Sequence, residues 1–170
     1  SQPLRVAAVQ MSTGNDTPVN IATADRLVRE AAAAGARFVV LPEKWNFIDR
    51  EDRQVTAAEA IDGPSIGVAQ SWARELRIAL VAGSISEAVA GRNRAYNTSV
   101  LIASDGTIAA RYRKLHLFDV EVGGRIYRES DGAIPGDQVV AADVLGHRVG
   151  LTVCYDVRFP ELFRALSAVG

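Results

Sequence analysis

The side chains in this chain that can do chemistry are few and far apart. Cys154, in "GLTVCYDVRFPEL", is the only cysteine among 170 residues. It follows an apolar run and precedes a segment of helix-forming composition, so the sequence predicts a sharp strand-to-helix turn there. Such a turn suits a nucleophile, because a helix N-terminus favours negative charge, lowers a thiol pKa and offers N–H groups to an oxyanion. Cysteine is equally a residue type that cores bury as an inert small hydrophobe. A nucleophilic thiol also needs a base, and the chain holds two histidines, His116 and His147. His147 sits in a Leu-Gly-His-Arg turn that reads as solvated. His116, two residues beyond Lys114, suits a structural hydrogen bond better than a Cys–His pair. "GPSIG", Gly63 to Gly67, copies the pattern of a hydrolase serine turn, but "AAEAID" before it is no strand. Asp62-Gly63-Pro64 reads instead as the start of a helix.

Three charged residues complete the candidates. Glu43, in "LPEKW", directly follows an apolar strand and its proline. Lys114, in "RYRKLHLFD", closes a strand, and Glu129, in "YRESD", lies in a long Gly-punctuated segment. Taken singly, each has a plain account, since strand-end charges are solvated and "RYRK" can protect a sheet edge.

The elements that must position these residues alternate. "LRVAAVQM" reads as a buried strand, "NIATADRLVREAAAAG" as an amphipathic helix ended by Gly35, and "RFVVLPE" as a second strand. After an irregular charged stretch, "GPSIGVAQSWARELR" predicts a helix and "IALVAGSIS" a third strand. "RNRAYNTSVLIASDGTIAARYRK" reads as a hairpin turning at Asp105-Gly106. "HLFDVEVGGRIYRESDGAIPG" reads as a long loop. "QVVAADVLGHRVGLTV" reads as a hairpin near Gly146, and "RFPELFRALSAVG" as a helix. Helices between early strands, then hairpins, make an α/β protein with a mixed sheet.

Composition narrows the function. With 48 % hydrophobic and 23 % charged residues the chain is globular rather than disordered. A formal net charge of -1 disfavours nucleic-acid and membrane-surface binding. One cysteine and two histidines cannot furnish a thiol-rich zinc site, and no apolar run reaches the length of a membrane span. A single unpaired thiol fits a reducing, cytoplasmic setting.

Taken together, "LPE" at Glu43, "YRKLHLFD" at Lys114 and "CYDVRFPEL" at Cys154 resemble the nitrilase, or carbon–nitrogen hydrolase, superfamily, whose Glu–Lys–Cys triad follows that chain order. Glu129 in "ESD" matches the family's additional active-site glutamate. "FIDRED" and "YNTSVLIASDGTIAARYRK" are similar to the Nit branch, which includes omega-amidases and deaminated-glutathione amidases. The resemblance runs from about Leu4 to the last residue. It implies an α-β-β-α sandwich with mixed sheets and a thiol amidase that needs no cofactor and no metal. In that reading Cys154 attacks a small-molecule amide, Glu43 moves protons and activates water, and Lys114 with the Tyr155 N–H stabilises the oxyanion. A nitrilase or carbamoyl hydrolase with the same triad, or a non-catalytic protein keeping the fold, are the alternatives.

Charge counting refines the expectation. Two carboxylates, an ammonium and a thiolate carry a double negative charge, which a dry pocket penalises. Neighbouring carboxylates raise the affinity of a thiol for its proton, so Cys154 is expected to rest as a thiol beside ionised Glu43, with Glu129 holding Lys114 or the substrate amide. Branch amidases take amides that carry a carboxylate. Arg158, one turn beyond Cys154, is the candidate partner for it, or else pairs with Glu161. Trp45 and Phe47 are candidate pocket walls, or equally residues of the core or of an interface.

Two expectations concern assembly. The apolar residues of "RFPELFRALSAVG" recur at helical spacing, and the resemblance implies a homodimer or higher homo-oligomer through this helix. Family members continue past the nucleophile through further strands and helices, whereas this sequence stops at Gly170. Residues 1–170 are therefore expected to be a carbon–nitrogen hydrolase domain incomplete at its C-terminus, aggregating or inactive if expressed alone.

Overall fold

In the computed structural model, which describes residues 3–170, strand β1 (Val6–Ala8) leads into helix α1 (Thr17–Ala33). The helix starts before the apolar periodicity does. Asp16 caps it by accepting the Val19 N–H at 3.1 Å, and Pro18 fits the first turn, where a missing N–H costs nothing. Strand β2 (Phe38–Val40), the short helix α2 (Glu51–Thr56) and helix α3 (Pro64–Leu76) follow. Strands β1, β2 and β3 (Ala79–Val81) pair in parallel, with Val6 opposite Phe38 and Phe38 opposite Ala79. Among the described residues β1 is the outer strand and Val6 is exposed, so the expected burial of this strand is not met.

"IALVAGSIS" is two strands rather than one. β3 and β4 (Ile85–Glu87) pair antiparallel with successive stretches of the same long strand, β5 (Ala95–Ile102). The bend between them is at Gly83, with φ +38°, where a Cβ would lie 1.8 Å from the Pro42 carbonyl oxygen. Only glycine lets the chain come that close. The contact presses the bend against the segment that carries Glu43.

β5 and β6 (Ile108–Arg113) form the expected hairpin. The segment read as a long loop is partly ordered, as a second hairpin of β7 (Asp119–Val122) and β8 (Arg125–Arg128) turning at Gly123-Gly124. Neither strand buries a face, so alternation could not signal them. A 3-10 turn (Glu129–Asp131) and β9 (Ala133–Ile134) lead to the last hairpin, β10 (Ala141–Val144) with β11 (His147–Gly150).

One face of the main sheet is covered by α1 and α3 through Val28, Val39, Ile66, Trp72 and Leu80. The other face packs on the β10–β11 hairpin and the segment after it, through Leu101, Tyr112, Val144, Leu151 and Val153. Helix α4 (Pro160–Ala168) lays Leu166 over Gly150 of β11. The layers therefore run helix, sheet, sheet, helix, as the resemblance implies. No helix among the described residues is long and apolar enough to cross a membrane.

Candidate active site

Glu43, Lys114, Glu129 and Cys154 come from four segments and line one cavity of about 590 Å³. Glu43 sits in the turn just past β2, held from below by the Gly83 bend; Ser84 Oγ accepts the next N–H, that of Lys44, at 3.0 Å. Lys114 follows β6 and is 1 % exposed, so its ammonium has to be neutralised within the protein. Its Nζ donates to Glu43 Oε1 at 3.0 Å and to Glu129 Oε2 at 2.9 Å. An ammonium has three N–H bonds, so one remains to point into the cavity. Burial pulls the Lys114 ammonium towards neutrality, but Glu43 and Glu129 outweigh it and hold its pKa above the ordinary value. Burial likewise favours the neutral form of Glu129. Donation from Lys114 and from the Phe118 N–H prevails, and its carboxyl lies below the usual range.

Cys154 does not open an α-helix. It begins a 3-10 turn, Cys154–Arg158, and α4 starts only at Pro160. Its own φ is +49°, a left-handed conformation that costs a residue with a side chain about 1–2 kcal/mol. Cys154 is thus not at the N-terminus of α4, and the expected lowering of the thiol pKa is absent. Burial pushes the thiol up, the Glu43 carboxylate pushes it further, and Lys114 only partly opposes them. The balance favours the neutral thiol, the direction that the charge count predicts.

The turn is held by a residue the sequence did not single out. Asp156 is fully buried and accepts four hydrogen bonds: Oδ2 from the Val153 N–H at 2.9 Å and the Tyr112 hydroxyl at 2.6 Å, Oδ1 from the His116 N–H at 3.1 Å and His116 Nδ1 at 2.7 Å. His116 also stacks on Phe159 with ring centroids 3.7 Å apart. Its role is structural, and the clamp ties the Cys154 turn to the segment just after Lys114. Asn97, on β5, was also missed. Its Nδ2 donates to Glu43 Oε1 at 2.7 Å and to Glu129 Oε1 at 3.1 Å, bridging the two carboxylates.

Other expectations fall away. Arg158 is exposed and does not line the cavity. Four residues of α-helix return about 40° from the starting face, whereas four residues of 3-10 winding land about 120° away. Nor does Arg158 pair with Glu161, which takes Arg164 at 3.0 Å. Trp45 is fully buried in the core against Trp72, ring centroids 5.6 Å apart, and Phe47 also stays off the cavity wall. Burying an indole in the helix–sheet core recovers more apolar area than lining an open cavity. The walls are instead Ile48, Phe118, Ile126 and Tyr127. Tyr155 packs edge-on against Phe118, centroids 5.1 Å apart, which fixes the backbone next to the thiol. Ser65 is buried at the start of α3, with its hydroxyl 2.6 Å from Glu59 Oε1, and is no nucleophile. His147 is exposed.

The arrangement can perform thiol chemistry: a neutral nucleophile, a carboxylate beside it and a cation with one N–H to spare share a cavity. Comparison with known proteins places the chain in a family. Residues 5–170 match the carbon–nitrogen hydrolase family. The chain is 41 % identical over 167 residues to an omega-amidase of Homo sapiens, covering 98 % of this chain and 60 % of that protein. It is 39 % identical over 174 residues to a deaminated glutathione amidase of Synechocystis, covering 99 % and 64 %. The chain thus spans less than two thirds of these relatives. A solved amidase variant from Nesterenkonia, with acrylamide added to its active-site cysteine, superposes with a TM-score of 0.85 at 27 % identity, over 99 % of this chain and 64 % of that one.

Proposed function

The chain belongs to the carbon–nitrogen hydrolase family, and we propose on that premise that it is a thiol-dependent amidase releasing ammonia from a small amide that carries a carboxylate. The observation that carries the reading is the Lys114 ammonium held between Glu43 and Glu129 on the wall that also presents Cys154. Sγ of Cys154 attacks the amide carbon as Glu43 takes the thiol proton. The spare Lys114 N–H and the Tyr155 N–H stabilise the oxyanion. Glu43 returns the proton to departing ammonia, then activates the water that cleaves the thioester. Ammonia release measured across omega-amide acids, nitriles and carbamoyl compounds tests this. Turnover confined to nitriles or carbamoyl compounds, or none at all, overturns it.

Lys44 supports the carboxylate in the substrate. It lines the cavity, its side chain is 11 % exposed, and its nearest acid, Glu51 Oε1, is 3.9 Å away, beyond hydrogen-bond distance. Burial holds the Glu51 carboxyl above its ordinary range, which weakens it as a competitor for the ammonium. A substrate carboxylate supplies the acceptors Lys44 lacks. Lys44→Met is expected to raise KM for an omega-amide acid by about 10–100-fold, the value of a charged hydrogen bond out of bulk water, with kcat little changed. An amide without a carboxylate should be unaffected; equal losses on both substrates would refute the assignment.

The setting is cytoplasmic in this reading, where a single thiol stays reduced. The protein assembles with itself through α4 and the turn before it, whose Val157, Phe163 and Val169 are exposed. Sedimentation velocity should find a dimer or larger, and a strict monomer at all concentrations would exclude this contact.

A further inference from the structure

Glu43 and Glu129 are identical side chains on either side of one ammonium, and residue type does not say which receives the thiol proton. Their hydrogen bonds separate them. Both oxygens of Glu129 are engaged, Oε1 by Asn97 Nδ2 at 3.1 Å, Oε2 by Lys114 Nζ at 2.9 Å and by the Phe118 N–H at 2.7 Å. On Glu43 both donors fall on a single atom: Asn97 Nδ2 at 2.7 Å and Lys114 Nζ at 3.0 Å share Oε1. No N–H or O–H donor among the described residues reaches Oε2. An oxygen that already accepts two bonds is a weaker base than its unengaged twin.

We propose that Asn97 is a positioning residue that selects the base: it pins Oε1 of Glu43, leaving Oε2 to take the proton from Cys154 Sγ, and it occupies Glu129 so that this second carboxylate cannot compete. The inference rests on the thiol-hydrolase reading and assigns the proton to one atom. The S–H bond breaks and Oε2–H forms as Sγ bonds to the amide carbon. When the C–N bond breaks, the same proton leaves Oε2 with ammonia.

Asn97 is built to hold this orientation. It is 3 % exposed on a central strand, where asparagine is a disfavoured residue. Its backbone carbonyl accepts the Lys114 N–H at 2.9 Å, so the amide is anchored to the segment that carries the ammonium. Turning the amide over would set Oδ1 against two carboxylates. In the orientation it keeps, Oδ1 is buried without a partner. A residue serving the fold alone would not retain that unpaired acceptor between two charged groups.

The test uses the purified protein, the variant Asn97→Ala and iodoacetamide, which reports on the thiol and its base without turnover. Glu43, Lys114 and Glu129 are the charged groups facing the thiol. Near about pH 7 a neutral thiol needs its base to react, and Asn97→Ala should be alkylated about tenfold more slowly than wild type. Where the pH is high enough for the thiol to ionise unaided, above its ordinary range because burial and Glu43 push it up, the two rates should converge. On a substrate amide kcat should fall by about 10–100-fold with KM held within about twofold. Rates that differ by one factor at every pH, or not at all, would overturn the proposal. Should Asn97→Ala not fold, Asn97→Ser is read in the same way. If wild type hydrolyses no amide, the amidase reading fails while the alkylation series still decides the role of Asn97.

Discussion

Replacing Cys154 by Ala should lower turnover by at least about 10⁴-fold while leaving the thermal midpoint within a few degrees of wild type. The expectation combines two structural facts. Among the described residues that line the cavity, the sulfur is the nucleophile set beside Glu43 and Lys114, whose carboxylate and ammonium are committed to one another. The same sulfur holds nothing together, because it sits in the cavity and the turn around it is fixed through Asp156. Cys154→Ser should be nearly as inactive: a hydroxyl binds its proton far more tightly than a thiol, and a carboxylate is a poor base for it. Cys154→Gly makes a further distinction. It is as inactive as Ala but relieves the φ of +49°, so it should be the more stable of the two variants by about 1 kcal/mol. Activity in Cys154→Ala within tenfold of wild type would exclude the thiol mechanism outright.

What the sequence made legible here divides along physical lines. Cys154, Lys114, Glu43 and Glu129 carry reactive or charged groups at the ends of elements, and their order along the chain is itself a pattern. Asn97 carries no reactivity of its own. Its role exists only because β5 passes between two loops that approach from residues 43 and 129. The available signal was a β-disfavoured asparagine inside the β-rich run "AYNTSVLI". The error over Arg158 came from winding: the sequence says that a helix follows Cys154, but not that its first turn is 3-10. For Trp45 the sequence left wall and core equally open, because adjacency to Glu43 says nothing about which way the next side chain faces, and the structure selects the core. Lys44, between them, has φ +49°, a reversal that apolar periodicity cannot encode. The hairpin β7–β8 was hidden for the opposite reason, its "EVGGRI" turn being readable while its strands bury nothing.

Asp156→Ala should differ from every substitution above in removing the fold and the activity together. Its carboxylate gathers four donors in a site with no exposure to water: two backbone N–H groups, a tyrosine hydroxyl and an imidazole nitrogen. Alanine strands all of them, and the loss of a buried, fully hydrogen-bonded carboxylate costs about 3–5 kcal/mol. That is a large share of the roughly 5–15 kcal/mol available to a domain. Asparagine is no remedy, because its one acceptor oxygen cannot serve both sides and its NH₂ would meet donors. The clamp also joins the Cys154 turn to Tyr112 and His116, which flank Lys114 in the chain. What stability survives should therefore come with a thiol no longer set against Glu43 and Lys114. Urea denaturation and alkylation of the thiol measure the two effects. A variant that keeps its stability within about 0.5 kcal/mol would show that water can replace the carboxylate, and Asp156 would then not be what holds the strained turn in place.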